Sequence, residues 1–291
     1  MRLQLFRSLW TNGFDLGAAL ADCNEGTFDG VEGPVPEETG ARREFAARLR
    51  EGGVPFIAEV TTGGGYVPDT TDSGRHLDDF CRKAEAALDC GPIFLTVLGG
   101  CDAWPLAQSV DFFGRAMEVA ATIEVVVSFE THRSRSTFNP WATRDLLRQL
   151  PALRLTCDFS HWCCVCERLV LDGEPGILAF CAERAFHVHA RVGYDQGPQV
   201  PHPNAPEYRS AREAHERWWD ALWSAAARAG RHTVTMTPEF GPDGYLHALP
   251  FSGTPVADLD EINHWMARHE RERFARRLTA GAPPAQFLQP S

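Results

Sequence analysis

What most restricts the fold of this chain is an alternation. Short apolar runs are each followed by a stretch with helical spacing, eight times within 291 residues. The pattern predicts strands at Arg2–Arg7, Phe28–Glu32, Pro55–Val60 and Ile93–Leu98, then runs ending at Glu130 and Asp158, then Ala185–Ala190 and His232–Thr237. Between them it predicts helices at Leu16–Asn24, Glu38–Glu51, Arg75–Leu88 and Leu106–Ala121, others starting near Pro140 and near His161 or Trp162, and long ones at Tyr208–Ala229 and Val256–Leu278. The warrant is periodicity: Leu77, Phe80, Ala84 and Leu88 share one helical face, as do Trp219, Leu222, Trp223 and Ala226. Punctuation agrees, with Gly52-Gly53 and Gly230 closing helices and Pro140 suited to a first turn.

Eight strand–helix units in this length predict an α/β chain folded as a (β/α)₈ TIM barrel. Near-continuous apolar strands fit a parallel sheet covered on both faces. A doubly wound open sheet is the competing architecture, but no G-x-G-x-x-G follows the first strand. No linker divides the chain, so a single domain is expected over residues 1–278, with Thr279–Ser291 as a C-terminal tail.

Charge and cysteine content narrow the function classes. With 28 basic and 39 acidic residues the net charge is −11, which repels phosphate backbones and argues against nucleic acid as the main partner. No apolar run approaches the roughly 20 residues of a membrane span, and Arg7 interrupts the short apolar start, so neither membrane insertion nor a secretory leader is expected. A cytoplasmic location follows, and nine cysteines, an odd number, read as free thiols. Cys157, Cys163, Cys164 and Cys166 cluster without two clean C-x-x-C pairs, so buried small side chains explain them better than zinc. Exposed tryptophans such as Trp218 would point to a subunit contact and hence a homo-oligomer.

Chemistry collects at the C-terminal ends of the last four strands. Glu130, Asp158, His189 and Glu239 close successive apolar runs, and in such a barrel neighbouring strand ends lie about 4.8 Å apart, close enough to share one ion. Three carboxylates and an imidazole make a mostly hard donor set, suited to Mn²⁺ or Mg²⁺, with Co²⁺ or Zn²⁺ also compatible. Each residue alone has a structural explanation: Asp158, for instance, suits a helix cap. Their order and common placement carry the reading. His187 competes with His189, because both face the same side of the strand; His189 lies nearer the mouth. Glu32 and Glu59 also end strands, and the basic segment Thr131-His132-Arg133 could meet an anionic group.

Asp158-Phe-Ser-His161 resembles the D-x-x-H of the xylose-isomerase-like superfamily of sugar isomerases and epimerases, which also holds inosose dehydratase and barrel apurinic endonucleases. Glu130, His189-Ala-Arg191 and Pro238-Glu-Phe-Gly-Pro242 are similar in order and placement. The resemblance implies one divalent metal on Glu130, Asp158, His189 and Glu239, substrate oxygens held by His161 and Arg191, and a carbohydrate-like small molecule as substrate. It implies an isomerase or epimerase working through an enediolate, with Glu130 and Glu239 moving the proton. A dehydratase using the same site is the alternative. Leu98 stands where many relatives, the nucleases included, carry a histidine, which disfavours an apurinic endonuclease; a non-catalytic sugar-binding barrel is the remaining option. The long loop Val192–Glu207, with Tyr194 and His202, is expected to cover the substrate.

Overall fold

The computed structural model describes residues 1–242 and 244–279. Eight parallel strands close into a barrel in chain order: β1 (Arg2–Ser8), β2 (Gly30–Pro34), β3 (Phe56–Thr61), β4 (Phe94–Leu98), β5 (Val126–Glu130), β6 (Leu155–Cys157), β7 (Ala185–Ala190) and β8 (Thr233–Pro238). Closure is made by β1 against β8, with Leu3 opposite Val234 and Leu5 opposite Met236. The helices are α1 (Leu16–Asn24), α2 (Thr39–Gly52), α3 (Ser73–Leu88), α4 (Leu106–Ala120), α5 (Pro140–Gln149), α6 (Ser160–Val165), α7 (Pro175–Ala182), α8 (Arg209–Arg228) and α9 (Leu259–Thr279).

Local signals account for the helix starts. The side chains of Asp15, Glu38, Asp72 and Asn139 accept hydrogen bonds from otherwise unpaired first-turn N–H groups of α1, α2, α3 and α5. The main core lies between the strands' outer faces and the helix ring. There Trp219, Leu222 and Trp223 of α8 join Phe80, Phe112 and Phe113 of α3 and α4 in one continuous cluster. Full burial of each large apolar side chain contributes about 1.5–3 kcal/mol. A small plug of Phe6, Ile57 and Phe94 forms a separate apolar cluster, with Phe6 and Phe94 against the His187 ring. Above it the barrel interior turns polar, with Thr96, Ser128 and Thr156 joined by hydroxyl hydrogen bonds of 2.7–2.8 Å.

Four expectations need correction. Helix α7 lies between α6 and β7, where no helix was expected; its sequence is apolar on nearly every side and offers no helical contrast. Trp218 is buried, not exposed: it packs on Phe159 and donates to Asp172 at 2.9 Å, so it gives no support to a subunit contact. Thr279 belongs to α9, and the rest of the expected tail lies outside the described residues. The loop Val192–Glu207 contributes no lining residue to the cavity at the barrel mouth. Tyr194 packs on Tyr208, His202 pairs with Glu261 at 2.9 Å, and Gln199 is latched to the backbone of Gly241.

Candidate metal centre and cavity

Glu130 ends β5, Asp158 follows β6, His189 lies in β7 and Glu239 follows β8. Parallel register brings all four to the C-terminal end of the barrel, where one donor atom from each lies within 4.8 Å of the others. All four are buried. The Nδ1 of His189 lies 3.1 Å from Glu239 Oε2 and 3.6 Å from Glu130 Oε1, yet makes no hydrogen bond. Its other nitrogen, Nε2, meets Glu32 Oε1 at 2.9 Å. Glu32 thereby fixes the ring so that Nδ1 faces the carboxylates, an arrangement typical of metal-ligating histidines and their outer carboxylate partners.

Glu32 also reaches His187. Its Oε2 lies 3.1 Å from His187 Nε2 and accepts from the Thr237 hydroxyl, while His187 Nδ1 meets Thr235 Oγ1 at 2.7 Å. His187 therefore sits one layer deeper than His189 and is tied to it through Glu32. Glu32 is fully buried; the two imidazoles outweigh that burial and hold its carboxyl far below the usual range.

Burial acts the other way on Glu130. It pushes the carboxyl up to about 7, with Glu239 and Asp158 adding repulsion and His189 opposing. Burial likewise raises Asp158, against the attraction of Arg191. Arg191 is bound to Asp158 through Nη2, which also lies 2.7 Å from His161 Nε2, while its Nε donates to Ser160 Oγ at 3.1 Å and its Nη1 to the Glu239 carbonyl at 3.3 Å. Most of its donors are thus directed at protein atoms. His161 is wholly buried behind it and does not line the cavity. Burial keeps the His161 and His132 rings neutral, well below the ordinary imidazole range.

A cavity of about 250 Å³ opens onto this group, lined by Glu59, Leu98, Glu130, His132, Arg133, Arg191 and Glu239 beneath Trp10, Tyr66, Val67 and Tyr245. Leu98 therefore presents an apolar wall. Sequence reasoning missed the aromatic cover, because its members sit in three separate loops without periodicity. Trp10 contacts Tyr66 and Tyr245 at ring-centroid distances of 5.9 and 5.3 Å. Glycine at 241 makes this possible, since a Cβ there would come within 1.8 Å of the Trp10 ring. Glu59 is buried on the wall formed by β3, where Tyr66 also lines the cavity; burial first, then Glu239 and Glu130, raise its carboxyl well above the usual range.

A second set of donors, Glu130, His132 and His161, also comes within 4.8 Å. Arg135, Arg191 and Arg133 impose positive potential on these histidines, which opposes a cation. A larger cavity of about 490 Å³ between the α2 and α3 sides shares only Glu59 with the cavity over the candidate centre. Among the described residues no cysteine joins a candidate metal cluster, and no helix is long and apolar enough to cross a membrane.

Comparison with solved structures places the fold. Endonuclease IV from Thermus thermophilus is 15% identical, with 95% of this chain and 100% of that one aligned at a TM-score of 0.59. The IolI protein with a binding zinc atom is 12% identical, covering 96% and 99% at 0.61. A D-psicose 3-epimerase crystallised in the presence of D-fructose is 12% identical, covering 96% and 99% at 0.58. Comparison of the sequence with curated proteins returns no match. The sequence profile of the xylose isomerase-like TIM barrels, however, matches residues 18–194, and with the closed eight-stranded barrel this shows that the chain belongs to that family.

Proposed function

We propose that the protein is a divalent-metal-dependent isomerase or epimerase of a small polyhydroxy carbonyl compound. The observation that supports this best is the convergence of Glu130, Asp158, His189 and Glu239 beneath one cavity, with Glu130 and Glu239 both on its wall. The donor set fits a cation on its own terms. Three carboxylates are crowded in a buried space, and the Nδ1 of His189 is aimed among them with no hydrogen bond. A group left so costs stability unless a ligand satisfies it. Oxygen-rich donors favour Mn²⁺ or Mg²⁺, and one imidazole leaves Co²⁺ or Zn²⁺ compatible.

Glu130, Asp158, His189 and Glu239 would hold the ion. When bound, it would supply Lewis-acid polarisation of a carbonyl and its neighbouring hydroxyl. Glu130 and Glu239 approach the cavity from different strands, so one can take a proton from carbon while the other returns it. Such an exchange works best when their environments separate their acidities. Arg191 holds Asp158 and His161 in place. Trp10, Tyr66 and Tyr245 exclude water above the reacting carbon, which strengthens every charge interaction below them.

The test combines elemental analysis of protein purified without chelator with incubation of ketoses in D₂O. Bound divalent metal and deuterium incorporation at the carbon beside the carbonyl, both lost after chelation, would support the reading. A metal-free protein that neither binds metal nor exchanges the proton would end it. Product mass separates isomerisation, which conserves it, from the dehydratase alternative, which loses water.

A further inference from the structure

Three arginines stand around the cavity, and among the described residues one of them lacks a partner that satisfies its charge. Arg191 is taken up by Asp158 and its neighbours. Arg135 is fully buried and donates to the carbonyls of Thr62, Gly65, Tyr66 and Gly100, clamping the loops after β3 and β4. Arg133 lines the cavity, half-buried. Its guanidinium lies 5.0 Å from the centre of the Tyr245 ring, whose centre is 4.7 Å from Arg191. Apart from a contact with the Cys164 thiol, no side chain among the described residues pairs with it, and no carboxylate does.

An arginine fixed on an aromatic ring, with its donor fork at a cavity wall, is a preorganised receptor for a planar oxyanion. The rest of the cavity defines what that anion is attached to. Glu59 and Tyr66 line the same space and carry oxygens that can hydrogen-bond alcohol groups. A volume of about 250 Å³ equals roughly eight waters, room for one small molecule and not for a nucleotide chain. Because Arg191 and Arg135 are taken up by protein acceptors, one free guanidinium among the described residues faces the space. A single charge matches a carboxylate better than a phosphate dianion.

We infer that the substrate is a small polyhydroxy carbonyl acid whose carboxylate docks on Arg133. This rests on the proposed function for the carbonyl end of the molecule, but the anion contact stands on Arg133 alone.

The two are separated by measuring binding apart from turnover. Isothermal titration of the metal-supplemented protein would compare D-fructose, D-fructuronate and the terminal phosphate ester of D-fructose, in wild type and in Arg133→Gln and Arg133→Lys. The expected result is that D-fructuronate binds at least tenfold tighter than D-fructose. That preference disappears in Arg133→Gln and is partly kept in Arg133→Lys, with unfolding temperature and metal content unchanged in both. Equal affinity for the neutral and acidic ketose, a preference that survives Arg133→Gln, tighter binding of the phosphate ester, or no binding of any probe would each overturn the inference. Arg133-dependent binding of D-fructuronate without proton exchange in D₂O would instead leave it standing and defeat the isomerase reading.

Discussion

Glu32 grips His189 from beneath: its Oε1 lies 2.9 Å from His189 Nε2, and this contact turns the other ring nitrogen toward Glu130 and Glu239. The link crosses the barrel between β2 and β7, strands that are not neighbours. If the four-residue group holds a metal, Glu32 sets both the tautomer and the aim of its only nitrogen donor.

Replacing Glu32 with Gln should therefore weaken metal binding by about 10–100-fold, the usual effect of losing such an outer partner. The barrel should stay closed. Competition with a chromophoric chelator reads the affinity, and an unchanged dissociation constant would show that Glu32 serves only His187 and the barrel interior.

Glu239→Gln should abolish turnover while the fold survives. Glu239 lines the cavity at the end of β8 and its carboxylate lies 3.1 Å from His189 Nδ1. The isosteric amide can neither take a proton from carbon nor bind a cation as a carboxylate does. Circular dichroism would report the fold and D₂O exchange the chemistry; exchange at the wild-type rate would remove Glu239 from the mechanism.

Arg191→Met leaves Asp158 and His161 buried without their cation. Removing one member of a buried pair costs about 3–5 kcal/mol, because the other stays behind uncompensated. Denaturant unfolding of chelated protein should show a loss of that order, smaller once divalent metal is restored, since the ion would take over part of the neutralisation of Asp158. An equal loss with and without metal would mean that no cation reaches Asp158.

The strand ends made much of this site legible in the sequence. A charged residue closing an apolar run is visible without coordinates, and Glu130, Asp158, His189 and Glu239 each have that form. Their convergence follows from parallel register alone. The bridge from Glu32 to both histidines was not legible, since it depends on side chains meeting across the barrel interior. The cover of Trp10, Tyr66 and Tyr245 was hidden for a related reason: loop residues have no period, and the three come together only in the folded barrel. Helix α7 lacked a polar face to betray it, and Trp218 looked available because a helix as wrapped as α8 buries more than one stripe. Glu59 was visible as a strand-end acid, but the upward push on its carboxyl comes from burial that only the packed barrel provides.

Gly241→Ala tests the cover directly. The added Cβ would sit 1.8 Å from the Trp10 ring, which must swing away or push the β8 end outward. Overpacking of this kind costs about 1–3 kcal/mol. Under the proposed function KM should rise more than kcat falls, because the cover encloses substrate and the proton-transfer carboxylates remain. A shift in tryptophan emission would accompany the change. An unchanged KM would exclude Trp10 from the substrate's surroundings.

Glu130 carries a pH signature that can be isolated by difference. Burial raises its carboxyl from the ordinary 4.5 to about 7 in the metal-free protein, so the folded chain holds a proton there that the unfolded chain has already released. With the folded-state value raised, the proton's contribution to stability is fully present below about 4.5 and is lost as pH climbs through about 7. Glu130→Gln has no such proton to lose. Relative to wild type, chelated Glu130→Gln should therefore gain stability steadily between these limits and level off above them. The gain should be on the order of 3 kcal/mol, since one unit is worth about 1.4 kcal/mol. Comparing the two proteins cancels most of the opposing titration of His132, His161 and His187, which acts in both. Adding divalent metal should reverse the order, because the wild-type carboxylate is then held ionised and the amide is the poorer ligand. Parallel stability curves across this range, with and without metal, would show that Glu130 is already ionised and paired in the metal-free fold.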